Sequence, residues 1–259
     1  MRIGIRSVCL SKNLEHSLAL SKKAGLEGVQ VSPTEARVYE ASDKDLLAFR
    51  QRVKEAGLEI ASLSAGPNLV NPALSEKSVS QFQQLLHAAA VLGGLPLTGE
   101  VKALPQGLSP EEGWKTCIEN VRNVCETAQR EGVDFCVEPG ASCLVRTTED
   151  LARLIAGVDH PRLRINFDGG NLWSAGSDCV EAARRLGRDV GHVHIKDWSR
   201  SAGKETALGE GDVDYEATVR ELRKAGYDGW LVIERERTSD PEADTLKAAR
   251  RLREILSQL

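Results

Sequence analysis

Short apolar runs alternate with longer amphipathic stretches along the whole chain of 259 residues. Eight short runs are rich in Val, Ile and Leu, which is typical of strands. They cover residues 2–6, 28–32, 59–64, 97–103, 133–138, 163–168, 190–195 and 230–234. Between them, stretches such as 43–56, 110–131 and 214–225 repeat apolar residues at spacings of three and four, which predicts helices. The alternation predicts a parallel sheet made of successive βα units.

The spacing of these units predicts how the sheet closes. Eight units in this length average roughly 32 residues each, close to a (β/α)₈ TIM barrel of about 250 residues. Glycines follow the predicted helices in "AGLEG", "AGLE", "EGVD" and "AGYDG", where a left-handed cap is favoured. No Pro/Ser-rich linker interrupts the pattern, so we predict an α/β protein with one domain over residues 1–259.

The segment "GHVHIKD", residues 191–197, places polar residues at the end of a predicted strand. Alternate side chains of a barrel strand point inward and outward. If Val193 and Ile195 point outward to the helices, then His192, His194 and Lys196 point inward. The carboxyl ends of barrel strands are where TIM-barrel active sites lie. The alternation therefore predicts that this strand carries functional side chains.

The same alternation gives four strands an inward ligand-type residue at the end: Glu138, Asp168, His194 and Glu234. Carboxylates that meet in one barrel mouth repel one another unless a cation neutralises them. Three carboxylates and one imidazole suit Mn²⁺, Mg²⁺ or Co²⁺, with Zn²⁺ as an alternative. Taken singly, each residue is explained equally well as a helix cap or a solvated loop residue. The prediction of a shared divalent metal site therefore depends on all four.

Composition narrows the classes of partner. The chain has 34 basic and 38 acidic residues, a net charge of −4, which gives no electrostatic reason to expect nucleic acid or an anionic membrane. The opening "MRIGIRSVCL" lacks the apolar core of a secretory signal, and no apolar run reaches membrane-spanning length, so we expect a cytoplasmic location. The six cysteines include no CxxC pair and are expected to be reduced. A small neutral or metal-bound substrate fits this composition best.

The chain resembles the xylose-isomerase-like family of sugar isomerases and epimerases over essentially its whole length, and the most specific motifs lie in its second half. The motifs that carry it are "GVDFCVEPG", "NFDGGNLW", "HVHIKDWSR", "LGEGDVDY" and "GYDGWLVIERE". In the ketose 3-epimerase branch, the positions matching Glu138, Asp168, His194 and Glu234 are metal ligands. The resemblance also implies that the two glutamates transfer protons and that Arg200 binds substrate.

The resemblance implies an isomerase or epimerase that transfers a proton through an enediolate of a ketose or ketose phosphate. The sequence departs from the 3-epimerases at Asn171, where a histidine is usual, and at Leu144, where a second glutamate is usual. The pattern is also similar to inosose dehydratases and hydroxypyruvate isomerases. An inosose-type dehydratase or a hydroxypyruvate isomerase is therefore the alternative, followed by an apurinic endonuclease-like enzyme and a non-catalytic sugar-binding barrel.

Further polar residues are candidates for contact with a carbohydrate substrate. Arg200, Asn171, Lys196 and Asn68 follow predicted strands and face the same end of the barrel. A salt bridge with the adjacent aspartate is an equal alternative for Lys196. His192 is expected to be structural, one layer below His194. The sequence leaves the substrate, the metal and a homo-oligomeric state open.

Overall fold

The computed structural model describes residues 1–259 and contains a closed barrel of eight parallel strands with helices around it. The chain has ten strands, of which all except β8 and β9 form the barrel. In chain order they are β1 (Arg2–Arg6), β2 (Gly28–Val31), β3 (Glu59–Ala65), β4 (Leu97–Glu100), β5 (Phe135–Glu138), β6 (Leu163–Asp168), β7 (Val190–Ile195), β8 (Asp197–Ser199), β9 (Lys204–Thr206) and β10 (Trp230–Ile233). The barrel closes where β10 pairs with both β1 and β7. The predicted TIM barrel is confirmed.

Amphipathic segments form the outer helices of the barrel. They are α1 (Leu14–Lys23), α2 (Asp43–Glu55), α3 (Ser75–Val91), α4 (Pro110–Glu131), α5 (Thr148–Val158), α6 (Gly169–Ser174), α7 (Cys179–Leu186), α8 (Tyr215–Lys224) and α9 (Pro241–Ser257). Capping boxes begin α2, α4 and α5, where a Ser or Thr and the acid three residues later bond each other's backbone N–H groups. None of these helices is both long and apolar enough to cross a membrane.

The main core lies between the strands and the helices. The outward side chains of β5, Phe135 and Val137, are fully buried there, and Phe135 meets Phe82 of α3 edge to face with ring centroids 5.1 Å apart. The inner face is more polar towards the carboxyl ends of the strands, where Gln30, Asn166 and His192 are also buried. The interior therefore supplies polar groups to one end of the barrel.

Two strands differ from their predicted ranges by more than one residue. The predicted strand 97–103 stops at Glu100 because Lys102 adopts a left-handed φ of 78°, which extended backbone cannot accommodate. The predicted strand 133–138 begins only at Phe135, because Val133 still bonds the end of α4 through Ala128 O at 3.0 Å. The antiparallel hairpin of β8 and β9 was not predicted; it lies directly after β7.

Candidate metal centre

Glu138, Asp168, His194 and Glu234 meet at the carboxyl end of the barrel. One nitrogen or oxygen atom from each residue lies within 4.8 Å of those of the others. The side chains of Asp168, His194 and Glu234 are at most 2% exposed, and that of Glu138 is 12% exposed. The structure thus brings together the four residues that the strand alternation predicts, as a group able to hold a metal ion.

Strand register explains why these side chains meet. Asp168 of β6 lies opposite His194 of β7, and His194 lies opposite Val232 of β10, two residues before Glu234. Asp168 is also the N-cap of α6, because its Oδ1 accepts the backbone N–H of Asn171 at 2.7 Å. The helix-cap interpretation is therefore correct for one oxygen of Asp168, while its other oxygen faces the cluster.

Two asparagines orient Glu138. Asn166 Nδ2 donates to Glu138 Oε2 at 3.0 Å, and Asn171 Nδ2 approaches Glu138 Oε1 at 3.3 Å while donating to Pro139 O at 3.0 Å. Neutral amides hold a carboxylate without neutralising it. The two amides therefore fix the orientation of the Glu138 carboxylate.

Cationic side chains surround Glu234. Arg6, at the end of β1, donates to Glu234 Oε1 and also to Glu236 Oε1 at 2.7 Å. Lys196 Nζ lies 3.4 Å from Glu234 Oε2 and 3.5 Å from Asp168 Oδ2. Charge pairing of this kind stabilises a buried carboxylate in its ionised form. Glu234 is consequently the most strongly held acid of the cluster.

The buried groups shift one another's ionisation. Burial raises the pKa of Asp168 to about 8 against the opposing charge of Lys196, and Glu234 and Glu138 add to the rise. Burial alone would lower the pKa of His194, but Glu138 and Glu234 raise it to about 10. Burial also disfavours ionised Glu234, yet His194 and Lys196 hold its pKa well below the ordinary value. Positive charge at the centre of the group therefore stabilises its ionised carboxylates.

The donor set fits a divalent metal ion. Asp168 Oδ2 and Glu234 Oε2 are buried without a well-aligned hydrogen-bond donor, although buried polar atoms are normally satisfied. Both atoms face His194 Nδ1, at 3.9 and 2.8 Å respectively. A divalent cation takes carboxylate oxygens and an imidazole nitrogen as ligands. These four residues are the ones that would hold such an ion.

A polar pocket of about 400 Å³ opens above the cluster. Its charged lining includes the cations Arg6, Lys102, Lys196 and Arg237 and the acids Glu100, Glu138, Glu205, Glu234 and Glu236. Arg6, Lys102 and Lys196 each pair with a carboxylate, whereas Arg237 forms no ion pair. The volume is at the scale of sites for small ligands. The pocket therefore suits one small polar molecule.

The structure separates the candidate substrate-binding residues into two groups. Asn171 and Lys196 line the pocket. Arg200 does not: its guanidinium lies 3.7 Å from the ring centre of Trp173 and donates to Trp173 O and Ser177 O. Asn68 also lies outside the lining, because its side-chain oxygen accepts the backbone N–H groups of the loop after β3, at Val70 and Asn71.

The carboxylate of Asp197 organises the loop after β7. It accepts four backbone N–H groups at 2.8–3.3 Å, from Trp198, Gly209, Gly211 and Val213. Lys196 pairs instead with Asp168 and Glu234, so the salt bridge between Lys196 and Asp197 that the sequence allowed does not form. Asp197 thereby holds "GEGD" as a turn beside the pocket.

Three further residues that line the pocket, Arg6, Gln30 and Glu205, were not predicted from the sequence. Arg6 ends β1 and Gln30 is the one polar residue within β2, so the alternation used for β7 could have found both. Glu205 of β9 gave no such signal. It lines the pocket because its side chain accepts from Arg235 Nη1 at 3.1 Å and from the backbone N–H of Glu236 at 2.9 Å.

Curated proteins with similar sequences include two dehydratases. Over 166 residues the chain is 28% identical to an inosose dehydratase from Clostridium perfringens, covering 57% of this chain and 55% of that protein. Over 229 residues it is 25% identical to a 3-dehydroshikimate dehydratase from Bacillus anthracis, covering 78% and 79% respectively. The chain thus matches about half the length of the inosose dehydratase and more of the second relative.

Solved structures share the whole fold. D-psicose 3-epimerase from Clostridium cellulolyticum H10, solved with D-tagatose, has a TM-score of 0.84 at 18% identity over 99% of both chains. The zinc-bound IolI protein has a TM-score of 0.84 at 17% identity, over 100% of this chain and 99% of that one. The family model described as xylose isomerase-like TIM barrel matches residues 18–255. The chain therefore belongs to the xylose isomerase-like TIM barrel family.

Proposed function

We propose that this protein is a metal-dependent dehydratase that removes water from a cyclic keto-polyol. The observation that carries the proposal is the position of the Lys196 ammonium, in the pocket and 3.4–3.5 Å from two carboxylates of the metal-binding group. It supplies a proton donor separate from the glutamates. The two curated relatives, which are both dehydratases, also support elimination of water over the isomerase or epimerase activity expected first.

Glu138, Asp168, His194 and Glu234 would hold the metal, for which Mn²⁺, Mg²⁺, Co²⁺ and Zn²⁺ are the candidates. When bound, a divalent cation stabilises negative charge that develops on a carbonyl oxygen. The carbon next to that carbonyl is then acidic enough for a carboxylate to remove its proton.

We assign the base to Glu138. It is the most exposed residue of the group, and the neutral amides of Asn166 and Asn171 bond it. Its ion-pair partner is His194, at 3.3 Å, whereas Glu234 has three cationic neighbours, Arg6, Lys196 and His194. Glu234 is the weaker candidate, because Arg6 pairs with it and its side chain is 2% exposed. A carboxylate with more cationic partners is a weaker base than one with fewer. The geometry therefore favours one base and one separate acid over two equivalent glutamates.

We assign the acid to Lys196. Glu138 takes the proton from the carbon next to the carbonyl, and the electrons of the C–H bond form an enolate. The enolate expels the hydroxyl group on the next carbon as its C–O bond breaks, and Lys196 gives that oxygen a proton. The products are an unsaturated ketone and water. Proton return from Glu138 to Lys196 through solvent restores both groups.

The test is incubation of the protein, loaded in turn with Mn²⁺, Co²⁺, Mg²⁺ and Zn²⁺, with an inosose, 3-dehydroshikimate and a panel of ketoses in D₂O. We expect one cyclic substrate to gain ultraviolet absorbance as its unsaturated ketone forms. Deuterium exchanged into an otherwise saturated ketose, with an inverted centre, would instead establish epimerisation and overturn the proposal.

A pair of variants separates the assigned chemistry from background. Glu138→Gln should lower kcat by about 100-fold or more, as expected for loss of a general base. Glu59→Gln is the matched control, because Glu59 begins β3 at the opposite end of the barrel and pairs with Arg2. Full turnover by a metal-loaded Glu138→Gln variant would contradict the assignment of the base.

A further inference from the structure

Gln30 connects the inner face of β2 to the metal-binding group. Its side chain is 1% exposed, and its Oε1 lies 2.7 Å from His194 Nε2 on the far side of the barrel interior. The same oxygen accepts the hydroxyl of Ser62, its cross-strand neighbour on β3, at 3.0 Å. A buried amide between two such partners has a defined orientation if its nitrogen is also engaged.

Thr98 of β4 engages that nitrogen. Its hydroxyl donates to Leu63 O at 3.4 Å, so the lone pairs of Thr98 Oγ1 are free to accept Gln30 Nε2 at 3.3 Å. The amide nitrogen of Gln30 therefore faces Thr98, and its oxygen faces His194. An amide oxygen accepts hydrogen bonds and donates none. The hydrogen between Gln30 and His194 must accordingly be on His194 Nε2.

We propose that Gln30 is a positioning residue, which keeps the hydrogen of neutral His194 on Nε2 so that Nδ1 offers its lone pair to the metal. Nδ1 is the ring nitrogen that faces the acids, 2.8 Å from Glu234 Oε2 and 3.3 Å from Glu138 Oε1. The inference rests on the metal site of the proposed function. A partner for the second nitrogen generally fixes the ring of a metal-binding histidine.

His192 extends this network by one layer. Ser62 has a single hydroxyl hydrogen, which goes to Gln30, so its oxygen accepts from His192 Nε2 at 3.2 Å. His192 Nδ1 is buried without a partner. Its role is thus to turn the Ser62 hydroxyl towards Gln30, which gives the Gln30 oxygen a second donor. A buried hydrogen-bond network of this kind restricts the orientation of its members.

The first measurement is metal affinity, by competition with a chromophoric chelator for Zn²⁺ and Co²⁺. Gln30→Met keeps the length of the side chain but cannot accept the Nε2 hydrogen, so we expect affinity to fall about 10- to 100-fold. Gln30→Glu still accepts that hydrogen, so its affinity should equal or exceed that of the wild type. If Gln30 had a purely structural role, the buried charge of Gln30→Glu would instead lower metal affinity more than the methionine of Gln30→Met does.

The second measurement needs only the wild-type protein. In the Zn²⁺-loaded protein labelled with ¹⁵N-histidine, long-range ¹H–¹⁵N correlation spectra should show His194 with Nδ1 bound to metal and a hydrogen on Nε2. Ligation through Nε2, or a Gln30→Met variant with wild-type affinity and spectrum, would overturn the role of Gln30.

The outcomes also distinguish this inference from the proposed function. Ligation through Nδ1 in a protein that dehydrates none of the substrates overturns the function alone. Dehydration by a wild-type protein whose Gln30→Met variant binds metal normally overturns the inference alone. Absence of binding by Zn²⁺ and Co²⁺ to the wild type overturns the inference together with the metal site.

Discussion

The ammonium of Lys196 lies 3.5 Å from Asp168 Oδ2, a buried carboxylate oxygen that has no well-aligned hydrogen-bond donor. The pair is too long for a strong hydrogen bond but close enough for Coulomb attraction in a buried site. Lys196 therefore balances the acids of the candidate metal centre without occupying the positions that a metal ion would use. This arrangement leaves its ammonium available to a substrate hydroxyl in the pocket.

Removal of the Lys196 ammonium tests its assignment as the acid. We expect Lys196→Met to lower kcat about 100-fold or more, because the leaving hydroxyl loses its proton donor. Metal content, measured by elemental analysis, should be unchanged or higher, because a repelling charge beside the ion is gone. A variant that loses its metal, or keeps its kcat, would contradict a role in proton donation.

Metal addition should stabilise the wild-type protein through the four-residue group. At a free metal concentration 100 times Kd, binding contributes about 2.7 kcal/mol, which corresponds to a rise in Tm of roughly 5–10 °C for a chain of this size. Asp168→Asn removes one charged ligand and should abolish most of the rise. The check is thermal unfolding with and without metal, using Asp178→Asn, a cap residue of α7, as the control. An equal rise in both variants would place the metal elsewhere.

His87 should make stability depend on pH. Its ring contacts Asp43 at 3.0 Å and Glu131 at 3.3 Å, and these bonds raise the pKa of His87 above the ordinary value. The stabilisation that these two bonds give the folded protein is therefore complete below the pKa of His87 in the unfolded chain. It is lost as the pH rises through the higher pKa of His87 in the folded protein. His87→Gln should cost about 0.2–1 kcal/mol at pH 5.5, since the pair is half-exposed, and almost nothing at pH 9. Urea unfolding at both pH values gives the difference; a constant cost would refute this origin.

Asp197 should be the main support of the loop after β7. Loss of an acceptor that serves four backbone N–H groups leaves one buried and three partly buried donors unpaired, so we expect Asp197→Ala to lower the free energy of unfolding by about 1–3 kcal/mol. Asp212→Ala is a suitable control, because Asp212 is exposed and accepts the N–H of Arg200. Limited proteolysis should cut within 199–213 first in the Asp197 variant. Equal stability of the two variants would count against this assignment.

Arg237 should recognise negative charge on a substrate. It is the pocket cation without a carboxylate partner, so an incoming anion need not displace one. We expect Arg237→Gln to raise KM about tenfold for an acidic cyclic ketone, the loss of about one charge-assisted hydrogen bond, and to leave KM for a neutral one unchanged. Steady-state kinetics on both substrate classes decide the matter, and an equal rise for both would exclude charge recognition.

The sequence pattern was sufficient to predict the barrel and the four side chains that meet at its mouth. Side chains alternate strictly along a strand, so inward positions such as Asp168 and His194 follow from the sequence once the strand is identified. The carboxyl ends of parallel strands lie at the same end of a barrel, so residues 138, 168, 194 and 234 were expected to lie close together there. The pattern could not choose between dehydration and epimerisation, because both begin with removal of the same kind of proton.

Contacts beyond the strands depended on tertiary structure. Arg200 was expected at the substrate, but the fold places its guanidinium against Trp173, because loop conformation does not follow from spacing along the chain. Gln30 and His194 are 164 residues apart, and only closure of the barrel brings them within 2.7 Å. The sequence alone thus determined which side chains point into the barrel, since backbone periodicity is local. The tertiary structure decided which of them bond to one another, since hydrogen bonds across the barrel depend on strand register and on the path of each loop.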